Sequence, residues 1–234
     1  MAGRKGVPEV IWARAERTGR GPRPAYSRAD IAAAAVRIAD EGGIDAVSMR
    51  RVAAELGCGT MSLYNYVPRK EDLYELMVDA VSAEYDLTAP TGDWRADLIG
   101  MAHQMRALMH RHPWMPRLMS PVYGFSPHAL DFLEHCLTCL DPLDAPPGTK
   151  VELFAMVTGA VTTYVSSELA AGERVRSLAW SEAEESAARA AYLGSRLATG
   201  AYPRLAAAFT QDAGSTDLDA VFERMLHRVV DGFA

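Results

Sequence analysis

Apolar side chains recur along this chain with the spacing of amphipathic helices. The first such stripe consists of Ile31, Ala34, Ala35 and Ile38. Alternating apolar and polar stretches, which are typical of half-buried strands, are scarce. The pattern therefore predicts an all-α fold. Beyond residue 68, the predicted helices span residues 69–86, 93–112, 114–119, 127–140, 149–171, 181–199, 203–211 and 217–233.

Capping residues and helix breakers support these boundaries. A Ser or Thr followed three residues later by Asp or Glu can exchange hydrogen bonds with the first turn of a helix. Such pairs include Ser27 with Asp30, Thr149 with Glu152 and Ser181 with Glu184. Gly42 and Gly43 predict the end of the first helix, and residues 90–93 and 141–148 are rich in Pro, Gly and Asp, as loops are.

Residues 48–70, SMRRVAAELGCGTMSLYNYVPRK, have the pattern of a helix, a glycine turn and a second short helix. Ser48 can cap the first helix, and Gly57 suits the tight exit from it. The inward positions are Val52, Ala53, Leu56, Cys58 and Leu63. The outward positions of the second helix are Thr60, Met61, Ser62 and Tyr64. This arrangement is typical of a helix-turn-helix, which places its second helix in the DNA major groove.

The same stretch resembles the TetR family of transcriptional regulators. The family pattern, Leu-Tyr-x-x-aromatic or aliphatic and then Lys, is matched from Leu63 to Lys70. The resemblance covers residues 27–86, and residues 93–114 resemble the start of a tetracycline-repressor-like regulatory domain. It implies a three-helix helix-turn-helix DNA-binding domain with its connecting helix at 27–86. A helical ligand-binding and dimerisation domain at 93–234 follows. Composition, and not the resemblance, predicts that residues 1–26 are a basic, flexible arm.

The resemblance also implies which side chains contact double-stranded operator DNA. At the start of the second helix, Thr60, Met61 and Ser62 are expected at base edges, where hydroxyls form hydrogen bonds and the Met thioether contacts thymine methyls. The side chains expected at phosphates are Ser48, Arg50, Tyr64, Tyr66 and Lys70. The base preference stays undetermined.

Charge is distributed unevenly behind a net value of −6. Residues 1–75 have 12 Lys and Arg against 10 Asp and Glu, whereas the remainder has 12 against 20. The arm contributes Arg14, Arg17, Arg20 and Arg23, interrupted by Gly and Pro. Two interpretations stay open: the arm adds phosphate or minor-groove contacts, or it is a solvated tail.

The helix predicted at 149–171 has few charged residues and two stripes. One stripe suits the domain core, with Phe154, Val157, Val161 and Val165. The other consists of small residues, Ala155, Gly159, Thr162, Ser166 and Ala170, which allow close approach of another helix. The last helix offers Val221, Met225 and Val229. Together these residues predict a four-helix homodimer interface, and packing within one subunit is the alternative.

A pocket for a small-molecule effector is expected around the helix at 93–112. Its candidate lining residues are Met101, His103, Met105, Met109, Trp114, Phe132, His135 and Thr158. Methionine side chains adapt to irregular apolar ligands, although a Met stripe is also common in a core. The predicted function is a ligand-responsive repressor with an effector of unknown identity. An activator or an orphan regulator is the alternative.

The sequence gives less support to other classes of protein. The chain lacks the nucleophile-elbow, phosphate-loop, dinucleotide and zinc-protease motifs, so we expect no enzyme and no cofactor. Three cysteines argue against a disulfide framework, and His135 with Cys139 supplies only two of the ligands that a metal needs. No apolar run of about 18 residues is present, which favours a cytoplasmic protein without membrane contact. An all-helical protein-interaction module is the alternative that lacks DNA binding.

Overall fold

The structure is a computed structural model that describes residues 10–14, 26–119, 125–177, 179–211 and 217–233. Within these ranges it consists of helices, turns and loops, with no strand. The α-helices are α1 (Arg28–Gly42), α2 (Met49–Glu55), α3 (Thr60–Tyr64), α4 (Lys70–Ser82), α5 (Trp94–Arg111), α6 (Pro127–Cys139), α7 (Pro147–Ser177), α8 (Glu182–Leu197), α9 (Pro203–Gln211) and α10 (Leu218–Asp231). Short 3-10 turns lie at Ile11–Ala13, Ile44–Ala46 and Met115–Leu118. The all-α prediction is confirmed.

Helices α1 to α4, with the segment up to residue 86, form a unit that we call the head. Helix α1 packs along α4, and α2 and α3 pack against each other. The head is small, yet its inward side chains are almost completely buried. These include Ile31, Ala35, Val52, Leu63, Leu73 and Met77. Such burial compensates for the low intrinsic stability of helices as short as α2 and α3.

Helices α5 to α10 form a second unit, the body. Helix α5 contacts α6, α7 and α10, so it occupies the centre of this unit. Every fourth residue of one α7 stripe is buried there, and α10 contributes three buried side chains. These residues are Leu153, Val157, Val161, Val165, Phe222, Leu226 and Val230. Helices α8 and α9 pack against each other, and none of their described side chains is buried.

Three of the predicted helices differ clearly from the structure. Helix α7 extends to Ser177, six residues beyond its predicted end at residue 171. Helix α7 begins at Pro147, so Thr149 lies inside it and cannot cap it. Proline favours the first helical position because it has no N–H there to leave without a partner. The connecting helix α4 ends at Ser82 rather than at residue 86. The helix predicted at 114–119 is a 3-10 turn. In the described ranges, no helix has the length and apolarity needed to cross a membrane.

Candidate nucleic-acid interface

The turn between α2 and α3 has the geometry that its glycine predicts. Gly57 adopts a φ of 68°, a left-handed conformation that residues with a Cβ rarely tolerate. The chain then turns back so that the Cys58 N–H donates to the Ala53 carbonyl at 2.8 Å. Ser48 caps α2, and its hydroxyl accepts from the Arg51 N–H at 3.2 Å. These local bonds set the position at which α3 begins.

Helix α3 has one buried side and one exposed side. Leu63 is 1% exposed and anchors the helix to the head. On the other side, Met61 is 77% exposed and Tyr64 42% exposed, and Ser62 is exposed beside them. Thr60, at the first turn, is partly buried. A short helix held by one inward side chain, with a polar and apolar outer face, can enter a DNA groove without moving the head core.

The side chains predicted at phosphates have different surroundings. Arg50 and Lys70 are exposed, and the Lys70 ammonium lies 5.2 Å from the centre of the Tyr74 ring. Tyr66 is partly buried against the head core, so its ring also supports α3. Arg69 binds the buried carboxylate of Asp72, and this bond raises the pKa of the guanidinium. DNA contact by these residues stays a prediction.

Two contacts that the sequence analysis missed position the segments before α1. The Tyr26 hydroxyl donates to the Leu56 carbonyl at 2.5 Å, which joins the start of α1 to the end of α2. Within the predicted arm, Ile11 is buried and Arg28 donates to the Arg14 carbonyl at 2.9 Å. An aromatic residue directly before an N-cap was the available signal for Tyr26. Arg17, Arg20 and Arg23 of the arm lie outside the described residues.

The head meets the body through opposite charges. His112, which ends α5, directs one ring nitrogen at Asp40 of α1 (Nδ1 to Oδ1, 2.8 Å) and the other at Glu84 (Nε2 to Oε1, 3.1 Å). The Trp114 indole N–H also donates to Asp40, at 2.7 Å. Trp114, a predicted pocket residue, therefore lies at the contact between the two units. Arg111 forms a further ion pair with Glu84.

Two more pairs extend this contact. Arg117 binds Asp45 at 2.7 Å. At the N-terminus of α6, the backbone N–H of His128 donates to Asp79 of α4 at 2.8 Å, and the ring Nδ1 lies 2.9 Å from the same carboxylate. A carboxylate at a helix N-terminus is favourable because the N–H groups there lack partners within the helix. In all these pairs the head supplies the acidic group and the body the basic one.

The other predicted pocket residues belong to two groups. Met101, Met105, Met109 and Phe132 are buried where α5, α6 and α7 meet. The Phe132 ring stacks on Tyr85, with centres 3.7 Å apart. On α7, the Thr158 hydroxyl is buried and has no hydrogen-bond partner among the described residues. Burial raises the pKa of the Tyr85 phenol and of the Cys136 thiol, so both groups are neutral here.

The two predicted pocket histidines have partners. His103 binds Glu223 of α10 at 2.8 Å, and its ring meets Phe222 edge-on. His135 lies with its Nε2 3.7 Å from the Cys139 sulfur. The structure shows no cluster of three or more metal-binding side chains within its described ranges.

The residues predicted for the dimer interface line one outer side of the body. Val221, Met225 and Val229 form part of a groove of about 490 Å³ between α7 and α10. The other lining residues are Met156, Arg224, Arg228, Gly232 and Phe233. On α7, Ala155, Gly159, Ser166 and Ala170 are exposed and Thr162 is partly buried. The Thr162 and Ser166 hydroxyls donate to carbonyls of their own helix at 2.7 Å, which leaves a face with little polarity.

A helix-turn-helix head with an exposed second helix, joined to a helical body, defines a DNA-binding transcriptional regulator. Two family models match the chain. Residues 31–77 match "Bacterial regulatory proteins, tetR family", and residues 88–234 match "Tetracyclin repressor-like, C-terminal domain".

Known proteins agree with these matches. The HTH-type transcriptional repressor DrrR1 of Streptomyces coeruleorubidus is 39% identical over 228 residues, which cover 96% of this chain and 83% of the relative. An HTH-type transcriptional regulator of Saccharopolyspora erythraea is 32% identical over 98% of this chain and 93% of its own. The structure of ActR from Streptomyces coelicolor in complex with actinorhodin is similar with a TM-score of 0.75 and 26% identity, over 89% of this chain and 95% of that one.

This chain belongs to the TetR family of transcriptional regulators. Proteins of this family bind DNA and are not enzymes.

Proposed function

We propose that this protein is a homodimeric repressor that binds a near-palindromic operator and releases it when a small apolar molecule binds the body. The observation that carries the proposal is the exposed outer side of α3, which the buried Leu63 anchors to the head. Hydroxyl, thioether and phenol groups on that side suit base edges and phosphates. The relative DrrR1 is a transcriptional repressor, which supports repression rather than activation by this protein.

The groove between α7 and α10 supports the proposal that the protein is a homodimer. An exposed apolar groove of this size on a body that is otherwise acidic is typical of an interface. Arg224 and Arg228 at its edge would supply the polar rim that such interfaces have. Two subunits related by a two-fold axis would place two copies of α3 in successive major grooves, about 34 to 36 Å apart.

The buried aromatic and Met side chains around α5, α6 and α7 support the proposal that the body binds a small-molecule effector. ActR has been solved with actinorhodin bound, so a protein of the same fold accepts an organic ligand. In this chain, the Thr158 hydroxyl would offer a hydrogen bond to an apolar molecule placed near Phe132. A ligand that binds more tightly to the conformation with displaced heads would draw the dimer away from DNA.

Footprinting on the DNA that flanks the gene, together with titrations at several salt concentrations, tests DNA binding. We expect two protected half-sites, and a log affinity that falls with log salt by about 0.9 per phosphate contact. Lys70→Ala should weaken binding and reduce that slope by about 1. Tyr192→Ala changes a residue that is 68% exposed on α8, and it should leave both quantities unchanged. An unchanged slope in Lys70→Ala would reject the phosphate assignment.

Sedimentation equilibrium tests the dimer. The wild type should behave as a particle of twice 25.4 kDa at micromolar concentration. Met225→Glu, which places a charge in the groove, should shift it toward the monomer and weaken operator binding with it. A monomeric wild type that still protects two half-sites would refute the model of preformed dimers.

A panel of aromatic and aliphatic small molecules tests the effector. A true effector raises the melting temperature increasingly as its concentration exceeds its Kd, and it releases the operator over the range in which it saturates the protein. Thr158→Val, which keeps the side-chain shape and removes the hydroxyl, should weaken that response. Stabilisation without release would show a ligand that does not regulate, and a panel without any response would favour an orphan regulator.

A further inference from the structure

Three successive residues after α4 are bound to the body. Glu84 forms an ion pair with Arg111 of α5. The backbone N–H of Asp86 donates to the side chain of Gln104, also on α5, at 2.8 Å. Between them, Tyr85 directs its ring into the body and is only 9% exposed. The end of α4 is thus fixed to the body at this segment, and the Tyr85 ring is its buried anchor.

The Tyr85 ring lies flat on the ring of Phe132 of α6. The ring centres are 3.7 Å apart and the planes differ by 14°. Phe154 of α7 meets Phe132 edge-on, with centres 6.1 Å apart. Aromatic pairs prefer offset or edge-to-face arrangements, with centres about 4.5 to 7 Å apart, over a face-to-face sandwich. In this aromatic cluster of three rings, Tyr85 therefore covers a flat face of Phe132 in an arrangement that ring electrostatics do not favour.

An unpaired hydroxyl lies on the same side of α7 as Phe154. Thr158 follows Phe154 by four residues, so the two side chains are neighbours on the helix surface. The Thr158 hydroxyl is buried without a hydrogen-bond partner among the described residues. Further along this helix, the hydroxyls of Thr162 and Ser166 donate to the carbonyls four residues earlier. The aromatic cluster therefore has a buried polar group beside it that a ligand can satisfy.

We propose that a planar aromatic effector with a polar substituent takes the place of the Tyr85 ring on Phe132, and that the expelled Tyr85 releases the end of α4. This inference rests on the proposed function, since it names the class of effector and the residue that senses it. A flat ring system stacks on Phe132 as Tyr85 does, and its polar substituent forms the hydrogen bond that Thr158 lacks.

The mutual exclusion of ring and effector supplies the differential affinity that regulation needs. The effector binds only the form in which Tyr85 has left Phe132, so it draws the protein toward that form. Expulsion of the ring pulls on Glu84 and Asp86, whose bonds to α5 hold the head in its orientation. A head that samples more orientations spends less time in the one that fits the operator, and the apparent affinity falls with that fraction.

Calorimetric titration of the full chain with two probes tests the exchange. Naphthol is a planar aromatic alcohol, and decahydronaphthol has the same carbon skeleton and hydroxyl without planarity. Naphthol should bind Tyr85→Leu about tenfold more tightly than the wild type, because no internal ring has to be displaced. Decahydronaphthol should show no such gain. Tyr85→Phe retains the ring and should restore the wild-type affinity. Leu226→Ala opens a cavity at a fully buried position of α10, and it should bring no gain for naphthol.

Operator binding and fluorine NMR measure the consequences. Tyr85→Leu should bind the operator about fivefold more weakly than the wild type, because fewer heads are correctly oriented. Naphthol should weaken operator binding by the wild type and cause no further loss in Tyr85→Leu. With a fluorinated tyrosine at position 85, bound naphthol should move the fluorine signal downfield, because the ring leaves the shielding face of Phe132.

Equal naphthol affinities of the wild type and Tyr85→Leu would overturn the inference, as would an equal gain for decahydronaphthol. A fluorine signal that stays in place while naphthol saturates the protein would overturn it as well. So would a displaced Tyr85 ring in a wild type that keeps its full operator affinity. A wild type that binds no operator but shows the displaced ring would refute the proposed function and support the exchange of rings.

Discussion

The head and the pair of helices α8 and α9 show how differently short helices can be stabilised. Helices α2 and α3 have 7 and 5 residues, yet their inward side chains are buried. Helices α8 and α9 have 16 and 9 residues and pronounced apolar stripes, yet none of their described side chains is buried. Length and helix propensity therefore do not decide which helix is integrated into the fold. Packing against other elements decides it.

Local hydrogen bonds hold α8 instead. Ser181 and Glu184 cap it reciprocally. Glu185 accepts a hydrogen bond from the Trp180 indole at 2.8 Å and binds Arg189 and Arg174, and these contacts lower the pKa of Glu185 to about 2. Ser181, Glu184, Trp180 and Arg189 lie within or beside α8, whereas Arg174 belongs to the exposed last turns of α7. These contacts therefore stabilise α8 without joining it to the buried core. Substitutions in the head should consequently lower the free energy of unfolding more than substitutions in α8 and α9 do.

The largest expected effect is the loss of a buried side chain in the head. Leu63→Ala should lower the free energy of unfolding by about 2 to 5 kcal/mol, because it removes buried methyl groups and leaves a cavity beneath α3. Leu205→Ala, at a position of α9 that is 45% exposed, should change it by no more than about 0.5 kcal/mol. Urea denaturation measures both. Similar losses in the two variants would show that α9 is packed as tightly as α3.

An intermediate effect is expected at Glu168 of α7. Burial alone would raise the pKa of this carboxyl, but hydrogen bonds from Arg106 and His110 outweigh burial and lower it. Its contribution, about 2 kcal/mol for hydrogen bonds between charged groups, is present at neutral pH and disappears as the pH falls through the lowered pKa. Wild type and Glu168→Gln should thus differ in Tm at pH 7 and converge toward pH 3. A constant gap would contradict the assigned charge.

The smallest effects are expected at two N-cap serines, each of which forms a capping box with the acidic residue three positions later. Ser27→Ala should lower the free energy of unfolding by about 1 kcal/mol, because α1 packs along α4 and its first turn is part of the head. Ser181→Ala removes the matching cap of α8. It should speed amide hydrogen exchange within α8 and leave the Tm unchanged. A Tm decrease equal to that of Ser27→Ala would show that α8 unfolds together with the core.

Much of the head could be predicted because its signals are local. The caps at Ser27 and Ser48 and the turn at Gly57 involve residues three to five positions apart, and all three are present in the structure. The core stripe of α7 is equally regular, with Val157, Val161 and Val165 buried. The start of α7 was misjudged because two start signals, Pro147 and Thr149, lie within two residues, and the proline occupies the first turn.

The contact between head and body could not be predicted from spacing. His112 and Asp40 are separated by 72 positions, and Trp114 and Asp40 by 74. The pattern around α5 assigns Trp114 equally well to a pocket wall and to a contact between units. Sequence separation states neither the distance between two such groups nor the direction in which a ring nitrogen points.

The sequence by itself determined where helices begin and turn, which faces are apolar, and the family to which the chain belongs, because short-range sterics and hydrogen bonds depend on neighbouring residues. Only the tertiary structure decided which apolar faces become core and which stay exposed. It also decided which carboxylates surround His112. Both outcomes depend on how distant elements pack, and the free energy of that packing is absent from any local pattern.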